Sequence, residues 1–178
     1  MSVPFLGEKV VAYIRLARPA NIITAVSDIL AGVSVSGIFI TGRNEFTISP
    51  YQYIFWLGLS TSCLYSGGVV FNDVFDAELD KLERPERPIP RGLATVRGGT
   101  IMGIFLLVLG IYSAYHVSML SAGIAIAVAF LSLAYDSFFK HHFLGPFIMG
   151  MCRAANLFLG ISICPKNCAN FCSLVLRR

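Results

Sequence analysis

Five long apolar segments recur along this chain of 178 residues, and they limit what it can fold into. A helix needs roughly 20 apolar residues to cross a bilayer, and a backbone surrounded by lipid must satisfy its own hydrogen bonds. Only 13% of the residues are charged, whereas an average soluble domain has about 25%. The sequence therefore predicts an all-α integral membrane protein, a polytopic bundle of transmembrane helices. The five predicted spans are Ala20–Ile40, Tyr51–Phe71, Gly99–His116, Met119–Phe139 and Phe143–Ile163.

The lysines and arginines are unevenly divided between the loops. Nine of them lie in the N-terminal flank and in the second and fourth loops, while the first loop has only Arg43 and the third has none. Because positive residues favour the cytoplasmic side, we expect the N-terminus and the loop after the second span to face the cytoplasm or its equivalent. Topology thus explains the net charge of +4, and we expect contact with membrane lipid and not with nucleic acid.

Four side chains suited to a metal ion close the second span: Asn72, Asp73, Asp76 and Asp80. At about 100° per residue they share one face of a helix, with Asn72, Asp76 and Asp80 stacked on successive turns. Carboxylates at a membrane boundary are costly, and three on one face repel one another unless a cation lies among them. Clustered oxygen ligands suit Mg²⁺, which completes its shell with water and substrate phosphates. These four residues, called the aspartate stripe below, predict half of a magnesium–diphosphate site.

A basic loop rich in proline follows the aspartate stripe. Three prolines end the helix and stiffen the loop, so that Arg84, Arg87 and Arg91 are displayed at intervals along it. On its own, such a loop is typical of a juxtamembrane segment that sets topology and touches anionic headgroups. Directly behind the stripe it favours a diphosphate site, because the planar guanidinium of arginine offers paired donors to phosphate.

The stripe and its loop resemble a known family. Asn72–Asp80 fits the N-D-x-x-D-x-x-x-D pattern of the UbiA superfamily of intramembrane prenyltransferases, and the following E-R-P-E-R-P-I-P-R-G is similar to that family's loop. Tyr135–His142 resembles the Tyr…Lys segment that ends the family's fourth helix, and Gly145–Gly160 resembles its fifth helix. Within the superfamily, these motifs most resemble those of the UbiA-like EboC branch.

The resemblance implies an enzyme that binds a prenyl diphosphate in a cavity inside a helical bundle. Its reaction would be the Mg²⁺-dependent transfer of the prenyl group to a small-molecule acceptor, often an aromatic ring. The implied catalytic residues are Asn72, Asp76 and Asp80, which with Asp73 in support would hold Mg²⁺ and the diphosphate. The implied substrate-binding residues are Arg84, Arg87, Tyr135 and Lys140.

Two charged residues lie inside predicted spans, where a charge is costly unless it faces a cavity or a partner. Arg153 in the fifth span is therefore predicted to bind substrate, with a diphosphate or a carboxylate as its partner and Asp76 as one candidate. For Asp28 in the first span, a functional role and a structural pair with a neighbouring helix explain the residue equally well. Arg18, at the start of that span, is interpreted as a topology anchor.

The chain also departs from the family. Members have roughly nine helices and a second Asp-rich motif opposite the first, whereas Asp136 is the one acid after Glu86 here. We therefore expect residues 1–163 to be the N-terminal part of such an enzyme and residues 164–178 to be an atypical tail on a truncated chain. The alternative is a non-catalytic membrane protein that binds a lipid diphosphate or a partner through this half-site. A channel or transporter fragment with an acidic mouth is a third hypothesis, which leaves the Arg-Pro loop unexplained.

Overall fold

This computed structural model describes residues 5–36, 38, 49–140 and 142–163, and all the regular secondary structure among them is helical. The helices are α1 (Leu6–Leu16), α2 (Ile22–Val35), α3 (Pro50–Phe75), α4 (Ala77–Glu83), α5 (Val96–Tyr115), α6 (Met119–Ala134) and α7 (Gly145–Ile161). A short π-helical turn at Tyr135–Phe139 prolongs α6. The predicted tail at residues 164–178 lies outside the described residues.

Each predicted span contains a helix. Four stretches are long and apolar enough to cross a membrane by length and composition: Gly7–Val35, Pro50–Phe75, Val96–Tyr115 and Met119–Phe139. The fifth predicted span corresponds to α7, a shorter apolar helix of 17 residues. The bundle thus has four helical stretches of spanning length and one shorter apolar helix among the residues described.

The first predicted span differs from the structure at its start. An additional helix, α1, precedes it, and the chain bends between α1 and α2 at Arg18, whose φ of 44° is in the left-handed region. Pro19 disfavours helical geometry for the residue before it, so α1 ends and a single 3₁₀ turn at Pro19–Asn21 leads into α2. The bend directs the Arg18 side chain toward the end of α3, where it contacts Asp73.

Helix α3 is the centre of the bundle, with α2, α5 and α6 packed around it. Its apolar side chains Leu57 and Leu64 are buried in a core to which α2 contributes Ile29, α5 contributes Leu107 and α7 contributes Leu159. Small residues at the crossings let neighbouring helices lie close together: Gly67 is against Leu107, Gly103 against Phe71 and Gly110 against Leu64.

The closest crossing joins α2 to α7 through two glycines. A Cβ atom added to Gly32 would lie 2.5 Å from the Leu157 carbonyl oxygen, and one added to Gly160 would lie 2.6 Å from the Ile29 carbonyl oxygen. Both obstacles are backbone atoms, which cannot rotate away as a side chain can. Backbone contact at this point fixes α7 against α2 and closes one wall of the cavity described below.

The aspartate stripe crosses the junction between α3 and α4. Asp76 is the residue between the two helices, with φ −82° and ψ 0°. The helical hydrogen-bonding pattern nevertheless continues, since the Asp76 N–H donates to the Asn72 carbonyl at 3.0 Å and the Asp80 N–H donates to the Asp76 carbonyl at 2.8 Å. Helix α4 then ends at Glu83, before the first proline of the basic loop, as the sequence predicts.

Candidate functional site

Three carboxylates of the aspartate stripe are buried. Asp73, Asp76 and Asp80 retain 4%, 8% and 2% of their surface exposed. Burying an ionised carboxylate is costly unless a positive group and hydrogen bonds compensate it. Each of the three has such a partner: Arg87 comes from the adjacent loop, and Arg18 and Lys140 come from distant parts of the chain.

Arg87 and Arg18 compensate two of these carboxylates. Arg87 Nη1 donates to Asp80 Oδ2 at 2.6 Å and to Asp73 Oδ1 at 3.1 Å. Arg18 Nη2 donates to the same Asp73 oxygen at 2.8 Å. Asp73 therefore joins the start of α2 and the basic loop to the end of α3. This arrangement places two guanidinium groups beside the stripe.

Lys140 compensates the third carboxylate. Its Nζ donates to Asp76 Oδ2 and, at 3.2 Å, to Asn72 Oδ1. The Asn72 amide in turn donates from Nδ2 to Asp136 Oδ1 at 2.8 Å. Because an ammonium only donates and an ionised carboxylate only accepts, these two neighbours fix which way the Asn72 amide points. Its oxygen faces the Lys140 ammonium, which also contacts Asp76.

The π-helical turn after α6 brings Asp136 and Lys140 to the stripe. It widens the helix between Tyr135 and Phe139, so that Asp136 and Lys140 both contact Asn72. Such π-turns are rare in proteins and are frequent at functional sites. The turn is thus a local feature that contributes two charged groups to one side of the site.

A cavity of about 410 Å³ extends from this cluster between α2, α3, α6 and α7. Asn72, Tyr135 and Asp136 line it near the stripe, and Asp28 and Arg153 line another part. Its apolar lining residues include Leu64, Val69, Val128 and Met149. The cavity has the size and mixed lining of a small-molecule site, with charged groups positioned by packed helices.

The structure brings together most of the residues predicted for the site. Side-chain hydrogen bonds join the stripe residues and their partners into two adjacent networks, one with Asp73, Asp80 and Arg87 and the other with Asn72, Asp76 and Lys140. Tyr135 and Arg153 line the cavity. Arg84 is exposed, and none of the ion pairs between described residues includes it.

Asp76, one candidate for the partner of Arg153, is not the carboxylate that Arg153 contacts. Arg153 contacts Asp28 at 3.3 Å, and the partner of Asp76 is Lys140. Asp76 lies at the end of α3, whereas Arg153 is near the middle of α7, beside α2. The structural alternative considered for Asp28, a pair with a neighbouring helix, is the arrangement found.

Arg18 and Asp136 are members of the cluster that the sequence did not predict. Arginine is common at a span boundary, so the sequence alone favours a topology anchor at Arg18. A signal was present in both cases: Arg18 is at the same predicted end of the bundle as the stripe, and Asp136 is in the same segment as Tyr135 and Lys140. Neither signal identifies Asp73 or Asn72 as the partner.

The predicted metal ligands have suitable donor chemistry. Among the residues that the structure describes, no three His, Cys, Asp or Glu side chains converge in a metal-binding arrangement. A cationic group is nevertheless accommodated between two predicted ligands, since the Lys140 ammonium lies between Asn72 Oδ1 and Asp76 Oδ2. Amide and carboxylate oxygens are the donors that Mg²⁺ prefers. The side-chain oxygens of Asn72, Asp76 and Asp80 are therefore donors of the type that binds a divalent cation.

Comparison with known proteins gives a family and a fold. The model of the UbiA prenyltransferase family matches residues 30–174. The digeranylgeranylglyceryl phosphate synthase of Sulfurisphaera tokodaii is 29% identical over 84% of this chain and 51% of its own length. That of Pyrococcus furiosus is 32% identical over 71% of this chain and 43% of its own length. A solved structure from work on digeranylgeranylglyceryl phosphate synthase in membranes aligns with a TM-score of 0.76 and 26% identity, over 86% of this chain and 52% of that chain.

The chain spans about half the length of the curated relatives it matches. The predicted superfamily and the all-helical membrane fold are confirmed, while the narrower likeness to the EboC branch stays a prediction. Apolar helices of spanning length and the fold shared with a membrane synthase identify an integral membrane protein. Since the family model covers most of its residues, the chain belongs to the UbiA prenyltransferase family.

Proposed function

We propose that the protein transfers a prenyl group from an isoprenoid diphosphate to an acceptor inside the membrane, in a Mg²⁺-dependent reaction. The observation that carries the proposal is the network of Asn72, Asp76 and Lys140, which adjoins a largely apolar cavity through Asn72. A prenyl diphosphate has the same division into a charged head and an apolar chain. We also propose that the N-terminus and the aspartate stripe face the cytoplasm or its equivalent.

The names of the relatives support a proposal for the acceptor. These relatives are synthases of digeranylgeranylglyceryl phosphate, whose product carries two geranylgeranyl groups on glyceryl phosphate. These names favour a hydroxyl oxygen of a glyceryl phosphate as the nucleophile over the aromatic ring that is common in the superfamily. A carbon–oxygen bond to the prenyl group would form, the bond from that carbon to diphosphate would break, and the hydroxyl proton would be released.

In this mechanism the residues of the stripe bind and orient the diphosphate. Asn72, Asp76 and Asp80 would hold Mg²⁺, which when bound stabilises negative charge on the leaving diphosphate. In the structure Lys140 contacts Asp76 and Arg87 contacts Asp80. When the substrate is bound, both cations would donate to phosphate oxygens. Arg18 holds Asp73 in place and keeps a second guanidinium near the head group.

Non-catalytic binding of a lipid diphosphate is the second candidate function. One observation favours it: Asp73, Asp76 and Asp80 are already compensated by arginine and lysine, so the cluster is stable without a metal ion. A protein with this function would bind prenyl diphosphate and would form no product.

Metal removal tests the proposal and separates the two functions. The full chain in nanodiscs would be incubated with labelled geranylgeranyl diphosphate and a long-chain alkyl glyceryl phosphate. We expect product with Mg²⁺, none after treatment with EDTA, and recovery when Mg²⁺ is restored. Transfer that is insensitive to EDTA would contradict the metal dependence. Diphosphate binding without product, under conditions in which a full-length relative is active, would favour the second function.

Replacement of Asp136 by alanine is expected to weaken the metal site indirectly. Without the Asp136 carboxylate, the Asn72 amide loses the acceptor that holds its Nδ2 group, and loss of such an orienting group raises the metal requirement by about 10- to 100-fold. The measurement is the Mg²⁺ concentration that gives half-maximal transfer.

Asp136→Asn is the matched variant, because an asparagine oxygen can still accept the hydrogen bond from Asn72. It should retain most of the metal affinity, and the exposed Glu83→Ala in α4 should retain all of it. A lower kcat for Asp136→Ala at an unchanged Mg²⁺ requirement would contradict an orienting role.

A further inference from the structure

The cavity contains a second charged pair, apart from the aspartate stripe. Arg153 on α7 and Asp28 on α2 both line it, and Arg153 Nη2 donates to Asp28 Oδ1 at 3.3 Å. The contact is long, and the Arg153 side chain is 67% exposed, whereas that of Asp28 is 25% exposed. A guanidinium has five N–H donors, so one long contact leaves most of its hydrogen-bonding capacity available to a ligand.

The surrounding helices hold this pair at a fixed place. Asn156, one turn beyond Arg153, donates to the Ala25 carbonyl at 3.0 Å and accepts from Thr61 Oγ1 at 2.6 Å. Ala25 is itself one turn before Asp28 on α2. Asn156 is buried and its amide is engaged on both sides, so it acts as a structural link. The close glycine contact between α2 and α7 reinforces the same alignment.

The pair and the aspartate stripe belong to different stretches of the cavity wall. Thr61, the partner of Asn156, and Asn72 of the stripe are both on α3. They are eleven residues apart, which corresponds to about 16 Å along the helix. One cavity thus has two charged parts, and the wall between them contains Leu64 and Val69 together with Tyr65 and Ser132. A diphosphate held at the stripe does not occupy the second.

We propose that Arg153 and Asp28 form the subsite for the phosphate group of a lipid acceptor, a refinement that rests on the proposed prenyl transfer. The planar guanidinium matches the geometry of a phosphate oxygen pair, which gives charge-assisted hydrogen bonds in surroundings of low dielectric. Asp28 keeps Arg153 in position while the subsite is empty. When the phosphate binds, the weak contact with Asp28 is exchanged for stronger ones.

The proposal predicts opposite effects for the two members of the pair. Arg153→Gln removes the donor to phosphate, whereas Asp28→Asn removes a negative charge that repels it. If the pair served only to stabilise the fold, either substitution would weaken phosphate binding. The sign of the Asp28→Asn effect therefore separates the binding role from the structural one.

The test is the binding of a long-chain alkyl glyceryl phosphate and of the neutral alkyl glycerol to the full chain in nanodiscs, measured by calorimetry. The wild type should prefer the phosphate, and Arg153→Gln should lower that preference by about tenfold to a hundredfold, the range for hydrogen bonds to a charged group. Asp28→Asn should raise it, and Arg153→Lys should give an intermediate value. Arg97→Gln, at an exposed arginine in α5 outside the cavity, is the control.

The double variant Asp28→Asn/Arg153→Gln is a control for misfolding, because it removes both charges of the pair and leaves neither one uncompensated. It should remain folded and show no preference for phosphate. An unchanged preference in Arg153→Gln, or an equal loss in both single variants, would overturn the proposal. So would stabilisation of the wild type by inorganic phosphate alone, with no response to the alkyl glyceryl phosphate.

The outcome is independent of the test of the reaction itself. Asp76→Ala should lose prenyl transfer yet keep the preference for the phosphate lipid, because the two charged parts of the cavity are separate. If transfer survives in Asp76→Ala, the proposed function fails. If the preference survives in Arg153→Gln while transfer still requires Asp76, only the subsite fails.

Discussion

Replacement of Asp76 by alanine is expected to lower the rate of prenyl transfer by about 10²- to 10³-fold or more, the scale for losing one preorganised group that stabilises transition-state charge. Asp76 is one of the three residues proposed to hold Mg²⁺. It is also the anionic partner of Lys140, so the substitution disturbs a second proposed diphosphate contact. Asp80→Ala should have a similar effect, since it removes another oxygen ligand and one of the two partners of Arg87. Single-turnover rates with a labelled donor are the measurement.

The controls separate chemistry from folding. Asp80 is almost fully buried, and its removal leaves Arg87 with Asp73 alone, so loss of activity could follow from loss of structure. Asp76→Asn and Asp80→Asn preserve shape and hydrogen bonding but weaken metal binding. Glu83→Ala removes an exposed carboxylate from the same short helix and should leave the rate unchanged. Full transfer by folded Asp76→Ala and Asp80→Ala proteins would contradict the assigned roles.

The parts of the site that depend on local spacing could be predicted from the sequence. Asn72, Asp76 and Asp80 are on successive turns, and a helical pattern of hydrogen bonds persists through the junction at Asp76. Prolines determine where the helix must end, so the position of the basic loop also follows from local rules. For the same reason the short ion-paired link between Asp80 and Arg87, seven residues apart, is within reach of sequence reasoning.

Contacts between distant segments could not be predicted in this way. Arg18 and Asp73 are 55 residues apart, Asn72 and Asp136 are 64 apart, and Asp28 and Arg153 are 125 apart. Each depends on how two helices are rotated and shifted against one another. That geometry is determined by packing, such as the glycine contact between α2 and α7. The hydropathy pattern of the sequence does not predict it. The left-handed backbone of Arg18 and the π-turn after α6 are further local departures that no periodic pattern indicates.

The crossing of α2 and α7 should be the position at which the fold tolerates a small substitution least. In Gly160→Ala the new methyl group would lie 2.6 Å from the Ile29 carbonyl oxygen and 3.0 Å from the Gly32 Cα, so the two helices must separate. Overpacking of this kind costs about 1–3 kcal/mol, and we expect the upper part of that range because backbone atoms cannot move aside. The measurement is the free energy of unfolding in mixed micelles titrated with a denaturing detergent.

Gly150, on the same helix, provides the matched control for Gly160. A Cβ atom there meets nothing within 4 Å in the described structure, and alanine favours a helix over glycine by roughly 0.5–1 kcal/mol. Gly150→Ala should therefore be neutral or stabilising, while Gly160→Ala is destabilising, although both substitutions add the same methyl group. Equal stability of the two variants would show that the helices do not touch at Gly32 and Gly160.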